Sequence, residues 1–236
     1  ALLADSLYHW RVRAVNPCGT GSFSGSQTFR TPVVPGQCPS ARVARNLLNN
    51  DVEAGAGAWT HAPATAGGTN TWAISSEFAV SPTNAWRNTG HSSTSDQLLT
   101  SPVLALPINR NPLSLQFQQR RHFETRTAGC YDGGMVEVAV NGAAFTAVPA
   151  AQLLNDPYTG PGSGNPAGAA PIWCADPARP FANTIIDMTP YAGSSVQFRF
   201  RVVTDSSVAR SGWAIDNIRV QSCATDLIFG SGFSAP

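Results

Sequence analysis

The sequence predicts an all-β fold, a jelly-roll-like sandwich of short strands, and two patterns carry that prediction. Apolar and polar residues alternate in short runs, and clusters of Gly, Pro, Asn and Ser separate the runs. No long stretch carries the 3.6-residue apolar period of a helix. Strands are expected over 46–52, 72–79, 84–87, 97–99, 113–123, 134–140, 184–187, 196–203 and 212–220. Leu113, Leu115 and Phe117 point to one side, with Ser114, Gln116 and Gln118 opposite. Val196, Phe198, Phe200 and Val202 alternate with Gln197, Arg199 and Arg201 in the same way. A sheet with one wet face requires this pattern.

Composition narrows the function classes. The 236 residues are enough for one large β domain, or one domain plus a fragment. Charged residues make up 12% of the chain, about half the usual share. A net charge of +1 steers the chain toward neither nucleic acid nor an anionic membrane. All 15 basic residues other than His are arginine, and the richness in Ala, Gly, Pro and Arg reads as a high-GC bacterial gene. An arginine surface favours fixed, bidentate contacts. No apolar run is long enough to span a membrane. The opening Ala1-Leu2-Leu3-Ala4-Asp5 lacks the basic and apolar regions of a signal peptide, so an export signal is expected upstream.

Five cysteines, Cys18, Cys38, Cys130, Cys174 and Cys223, are widely spaced and form no C-x-x-C pair. That spacing argues against structural zinc and for disulfides in an oxidising compartment. The stretch from Leu154 to Pro180 is a long loop rich in Pro, Gly, Asn and Ala. A Cys130–Cys174 bridge would pin it to the sheet, and Cys38–Cys223 would close the sandwich. Cys18 is left over: it is free, or its partner lies on another segment or another chain. Tyr158 and Trp173 lie in the pinned loop and are the candidate binding surface.

The N-terminal part has its own character. Tyr8, Trp10, Val12 and Ala14 alternate with His9, Arg11 and Arg13, as in a half-buried strand. A turn at Asn16-Pro17-Cys18-Gly19 and a second strand at 27–31 follow. With Leu7, Ser24 and Phe29-Arg30-Thr31, these residues resemble the last two strands of a fibronectin type III domain. The resemblance implies a partial domain over 1–32, a linker over 33–45, the sandwich over 46–223 and a tail over 224–236. It also implies a partner, an upstream domain or another protein chain, that completes the sheet.

Three anchors identify the sandwich further. They are Ser95-Asp96-Gln97-Leu98-Leu99-Thr100-Ser101-Pro102-Val103, Tyr131-Asp132-Gly133-Gly134-Met135-Val136-Glu137-Val138 and Gly212-Trp213-Ala214-Ile215-Asp216-Asn217-Ile218-Arg219-Val220. In this order they resemble the MAM-like jelly-roll accessory domain of secreted bacterial metallopeptidases of the immune inhibitor A and fungalysin-like kinds. This chain departs from that pattern in its cysteine-pinned insertion and in Ala214, where an aromatic residue is usual. The resemblance implies a structural calcium ion where first and last strands meet, with Asp51, Glu53, Asp96 and Asp216 as its ligands.

No catalytic motif emerges. His9, His61, His91 and His122 form no H-E-x-x-H. Gly160-Pro161-Gly162-Ser163-Gly164 reads as a flexible turn. Arg120-Arg121-His122 with Arg126 reads as a solvated strand end, and Trp59, Trp72 and Trp86 as core. The tail Asp226–Phe233 resembles the short endings of some exported bacterial proteins and is a candidate sorting or docking strand. The expected function is a noncatalytic C-terminal accessory region of a secreted bacterial protein, a peptidase in the first instance, that binds substrate, surface or matrix. Two alternatives stand beside it: an extracellular filament or adhesin subunit that self-assembles by strand addition, and a carbohydrate-binding module.

Overall fold

The alternating runs form strands in the computed structural model, which describes residues 1–225. The tail expected to sort or dock, Asp226–Phe233, lies outside the described residues. The chain opens with β1 (Leu7–Trp10) and β2 (Gln27–Arg30). Then follow β3 (Arg42–Asn50), β4 (Thr60–Pro63), β5 (Ala73–Ser75), β6 (Ala85–Asn88), β7 (Ser95–Thr100), β8 (Leu104–Ala105) and β9 (Leu113–Phe123). The second half carries β10 (Gly133–Val140), β11 (Thr146–Ala147), β12 (Leu153–Asn155), β13 (Ala175–Asp187), β14 (Ser195–Thr204) and β15 (Gly212–Thr225).

Two antiparallel sheets make the sandwich. The larger runs β12-β13-β9-β15-β6-β5, with β3 also paired to β15. The smaller runs β11-β10-β14-β7-β4, with β8 on β14. At 14 residues, β15 is long enough to hold β6 with one half and β3 with the other. β3 starts at Arg42, inside the linker expected at 33–45, because Arg42 already pairs with Thr225. The same pairing carries β15 into the expected tail.

The core lies between the sheets. Val136, Phe198, Phe200 and Val202 meet Leu115, Phe117, Trp213 and Ile215, and none is more than 2% exposed. Phe117 and Phe200 meet edge to face at 4.9 Å. Each such ring contributes several kcal/mol of burial, of order 25 cal/mol per Å². Gly134 fits this packing for a steric reason: a Cβ there would come within 2.5 Å of the Trp213 ring.

Three expectations need correction. β13 begins at Ala175, well inside the loop expected over 154–180. Pro177 and Pro180 do not break it: β12 pairs only with Ile185 and Ile186, so the early part of β13 has a free edge where a missing N–H costs little. β4, which ends in Pro63, was not expected at all. The opening strand stops at Trp10 instead of continuing half-buried to Val15, and leaves Trp10 47% and Val12 58% exposed. Within the described residues, β1 and β2 pair only with each other. Tyr8 stacks on Phe29, and Asp5 accepts from Ser40 N–H and Arg30, which together hold its pKa down at about 2.

Candidate functional site

Polar side chains converge on the wet face of the larger sheet. Register places Asn49 of β3, Arg219 of β15, Gln116 of β9 and Ile185 of β13 in one row across four strands. A second row is built from Asn217, Gln118 and Asn183. Asn217 Nδ2 donates to Gln118 Oε1 at 2.7 Å, and Gln118 faces Asn183 in register. The register slips at this point of β15, where Asn217 takes a left-handed conformation (φ 51°). Asn tolerates that conformation better than most residues. Asn155 closes the row, its Nδ2 donating to the Asn183 carbonyl at 2.8 Å.

The linker supplies one wall. Gly36 O accepts from Gln116 Nε2 at 2.9 Å and from Gln221 Nε2 at 3.0 Å. Glycine is required there: φ is +76°, and a Cβ would press on the Gln116 amide at 3.0 Å. The result is a cavity of about 660 Å³. Seven of its fourteen lining residues carry a side-chain amide, and Arg219 is the only charged one. Amides both donate and accept, as sugar hydroxyls do.

The residues expected to hold calcium divide. Asp51, Glu53 and Asp216 gather around one turn. Asp216 Oδ2 accepts from Val80 N–H at 2.7 Å and Ser81 N–H at 2.9 Å, and Oδ1 from Asn217 N–H at 2.6 Å. Glu53 Oε1 accepts from Asn84 N–H at 2.6 Å, and Asp51 from Glu53 N–H at 3.2 Å. N–H donors thus occupy the Asp216 oxygens a cation would need, so this set clamps the turn and does not fit the ion. Asp96 is elsewhere, on the smaller sheet, held by Arg201 Nη2 at 2.7 Å. Alternation along β7 turns it away from the other three.

A different acidic group was missed. One carboxylate oxygen each from Glu124, Asp132 and Asp205 lies within 4.8 Å of the others, close enough to share a cation. Asp132 is 1% exposed. Burial, then the charges of Asp205 and Glu124, push its pKa up to about 7 against the hydrogen bond from Asp205 N–H. Glu124 and Asp132 flank one tight hairpin, whereas Asp205 is distant in sequence and only the packing of turns brings it to them.

The pinned loop is also corrected. The structure joins Cys130 to Cys174 and Cys38 to Cys223, and leaves Cys18 free and exposed. Trp173, offered as a binding surface, is fully buried: its indole N–H donates to Asp156 O at 2.9 Å. Tyr158 packs on it with ring centroids 4.4 Å apart and is itself largely covered. Beneath the loop, Arg121 grips Asp156 with two contacts of 2.6 and 2.8 Å. Arg121 is 1% exposed, so this part of the expected basic patch is interior.

His122 stands between Ser211 (Nδ1 to Oγ, 3.1 Å) and Asp176 (Nε2 to Oδ1, 3.3 Å). These are the residue types of a hydrolytic relay. Here Asp176 also accepts from Arg210 at 2.7 Å and Ser211 from Arg120 at 3.3 Å, which makes the group a surface clamp between β9, β13 and β15. The Arg210 contact, more than the His122 contact, holds Asp176 below the usual carboxylate range.

No protein-family model and no curated protein matches the chain. Solved structures do. TmCBM61, in complex with β-1,4-galactotriose, matches with a TM-score of 0.45 and 14% identity over 75% of this chain and 97% of that one. The K3 cleaved adhesin domain of Lys-gingipain from Porphyromonas gingivalis matches with 0.44 and 15% over 76% and 99%. The CBM22-1 xylan-binding domain of Paenibacillus barcinonensis Xyn10C matches with 0.41 and 13% over 79% and 100%. Likeness at this level does not extend to ligand.

Proposed function

We propose that this chain is a noncatalytic accessory region of a secreted bacterial protein and that the amide-lined face of its larger sheet binds polysaccharide. One observation carries the reading: a cavity of about 660 Å³ whose lining includes seven side-chain amides and a single cation. A hydroxyl-rich chain satisfies such donors and acceptors without charge neutralisation. The two disulfides fit an oxidising, extracellular setting. No helix among the described residues is long and apolar enough to cross a membrane. The resemblance to metallopeptidase accessory domains makes a peptidase the first choice for the protein it serves.

Affinity electrophoresis against a panel of soluble polysaccharides tests the reading. The native protein is expected to be retarded by at least one of them. The double variant Gln118→Ala, Asn183→Ala is expected to lose about tenfold in affinity, at about 0.5–1.5 kcal/mol per hydrogen bond. No retardation across the panel would sink the proposal.

A structural calcium belongs to the same reading, and the donor chemistry favours Glu124, Asp132 and Asp205 over Asp216. Three carboxylates suit a hard cation, which would relieve their mutual repulsion. Calcium is expected to raise the melting temperature of the native protein and not of Asp132→Asn. An equal response of both excludes this site.

A second reading rests on the N-terminal ribbon. Leu7, Trp10 and Phe29 are 54%, 47% and 43% exposed on a ladder of four residue pairs. A two-stranded ribbon of this kind is marginal alone and offers open edges for strand addition. In this reading a second copy of the chain completes the fibronectin-like sheet by strand addition. Sedimentation velocity decides it: assembly should grow with concentration and weaken in Trp10→Ser, and a monomer throughout removes it.

A further inference from the structure

We propose that the polysaccharide is acidic and that Arg219 reads a uronate carboxylate in it; this rests on the polysaccharide reading above. Arg219 is the only charged residue lining the cavity, and it is exposed. It forms no ion pair among the described residues. The contrast with the opposite sheet is direct. There Arg199 and Arg201 are neutralised by Glu137 and Asp96. Among the residues lining the cavity, the fold thus places one cation, and no carboxylate beside it.

That cation is also held in place. Gln116 Oε1 accepts from Arg219 Nε at 3.0 Å and from Nη2 at 2.6 Å. Gln116 is itself 6% exposed, and its amide nitrogen donates to Gly36 O and Ser114 Oγ. Arg219 Nη1 takes part in no hydrogen bond among the described residues. A guanidinium whose plane is fixed beforehand loses little further entropy when it meets a carboxylate, and its forked donors match that group.

The surroundings select a sugar acid over other anions. Asn49, Gln118 and Asn183 lie in the rows beside Arg219 and Gln116, with donors and acceptors for ring hydroxyls. Phe117, the only aromatic residue lining the cavity, is 2% exposed, so stacking adds nothing and polar contacts must orient the ligand. An acidic peptide would seek a sheet edge or apolar pockets. Gln116 and Arg219 lie instead on strands that are paired on both sides at this point.

Titration calorimetry on the full chain tests the proposal with three probes: polygalacturonate, its fully methyl-esterified form, and polyglutamate. The two pectic probes differ only in whether the carboxylate is free. Polygalacturonate is expected to bind about tenfold more tightly than its ester. Arg219→Gln should erase that difference and leave the ester within about twofold, while Arg126→Gln, on a distant exposed arginine, should change neither. Equal binding of acid and ester, an unchanged preference in Arg219→Gln, or polyglutamate binding as tight as polygalacturonate overturns the proposal and leaves the polysaccharide reading standing. Silence toward these probes and the whole neutral panel overturns both. Circular dichroism of each variant verifies folding, which an exposed Arg219 side chain should not disturb.

Discussion

Asp132 sits almost fully buried beside Glu124 and Asp205, and its pKa of about 7 ties stability to pH. The folded state keeps its proton where the unfolded chain, with an ordinary carboxylate, has lost it. Between about pH 4 and pH 7 the native state therefore binds more protons, and stability falls as pH rises. Above the folded pKa this loss is complete and the curve levels off. In metal-free buffer the native melting temperature is expected to fall across that window, and that of Asp132→Asn to stay flatter. The asparagine keeps an oxygen for the Asp205 N–H and never ionises. A parallel fall in both proteins would assign the pH dependence to other groups. Calcium reverses the native loss near pH 8 if the three carboxylates hold the ion, because it replaces the missing proton.

At the scale of elements, the insertion between β12 and β13 is fastened twice. The Cys130–Cys174 bridge closes a loop with a sequence separation of 44, worth about 4 kcal/mol in chain entropy. Arg121 and Asp156 are both buried, and removing either partner would cost about 3–5 kcal/mol, because the other charge would stay buried and unpaired. Burial pushes the Asp156 pKa up, but Arg121 more than offsets this and the carboxyl ends below its usual range. Cys130→Ser with Cys174→Ser is therefore expected to lower stability by up to about 4 kcal/mol while the clamp keeps the insertion in place. Urea titration read by Trp fluorescence checks it, since Trp173 is a buried residue of the insertion itself. An undiminished midpoint would mean that the ion pair alone fixes the insertion.

For the whole molecule, the two sheets have different surfaces because their charges are spent differently. The smaller sheet carries a ladder of Arg199, Glu137, Arg201 and Asp96, in which each charge meets its opposite. The cavity of the larger sheet is lined by amides and one arginine, with no carboxylate beside it. Its cavity also depends on the linker, which reaches the sheet through Gly36 and is tied down by Cys38–Cys223. The site thus draws on both ends of the sandwich: linker and β3 from the start, β15 from the finish.

Local pattern determined the strands themselves. Alternation over 113–123 and 196–203 marks β9 and β14 because side chains on a strand must face opposite ways, whatever the partner. The wide cysteine spacing, with no C-x-x-C pair, pointed to disulfides. Contacts between distant residues left no such mark. Asp205 meets Glu124 and Asp132 through turns, and Asn49, Arg219, Gln116 and Ile185 meet through the register of four strands. Trp173 reads as a loop residue in sequence, and only the fold of that loop over Asp156 buries it. The all-β sandwich was therefore legible from the chain alone. Which of its faces stays polar, and which arginine stays unpaired there, was decided by tertiary pairing, since charge compensation and burial depend on neighbours that sequence distance does not reveal.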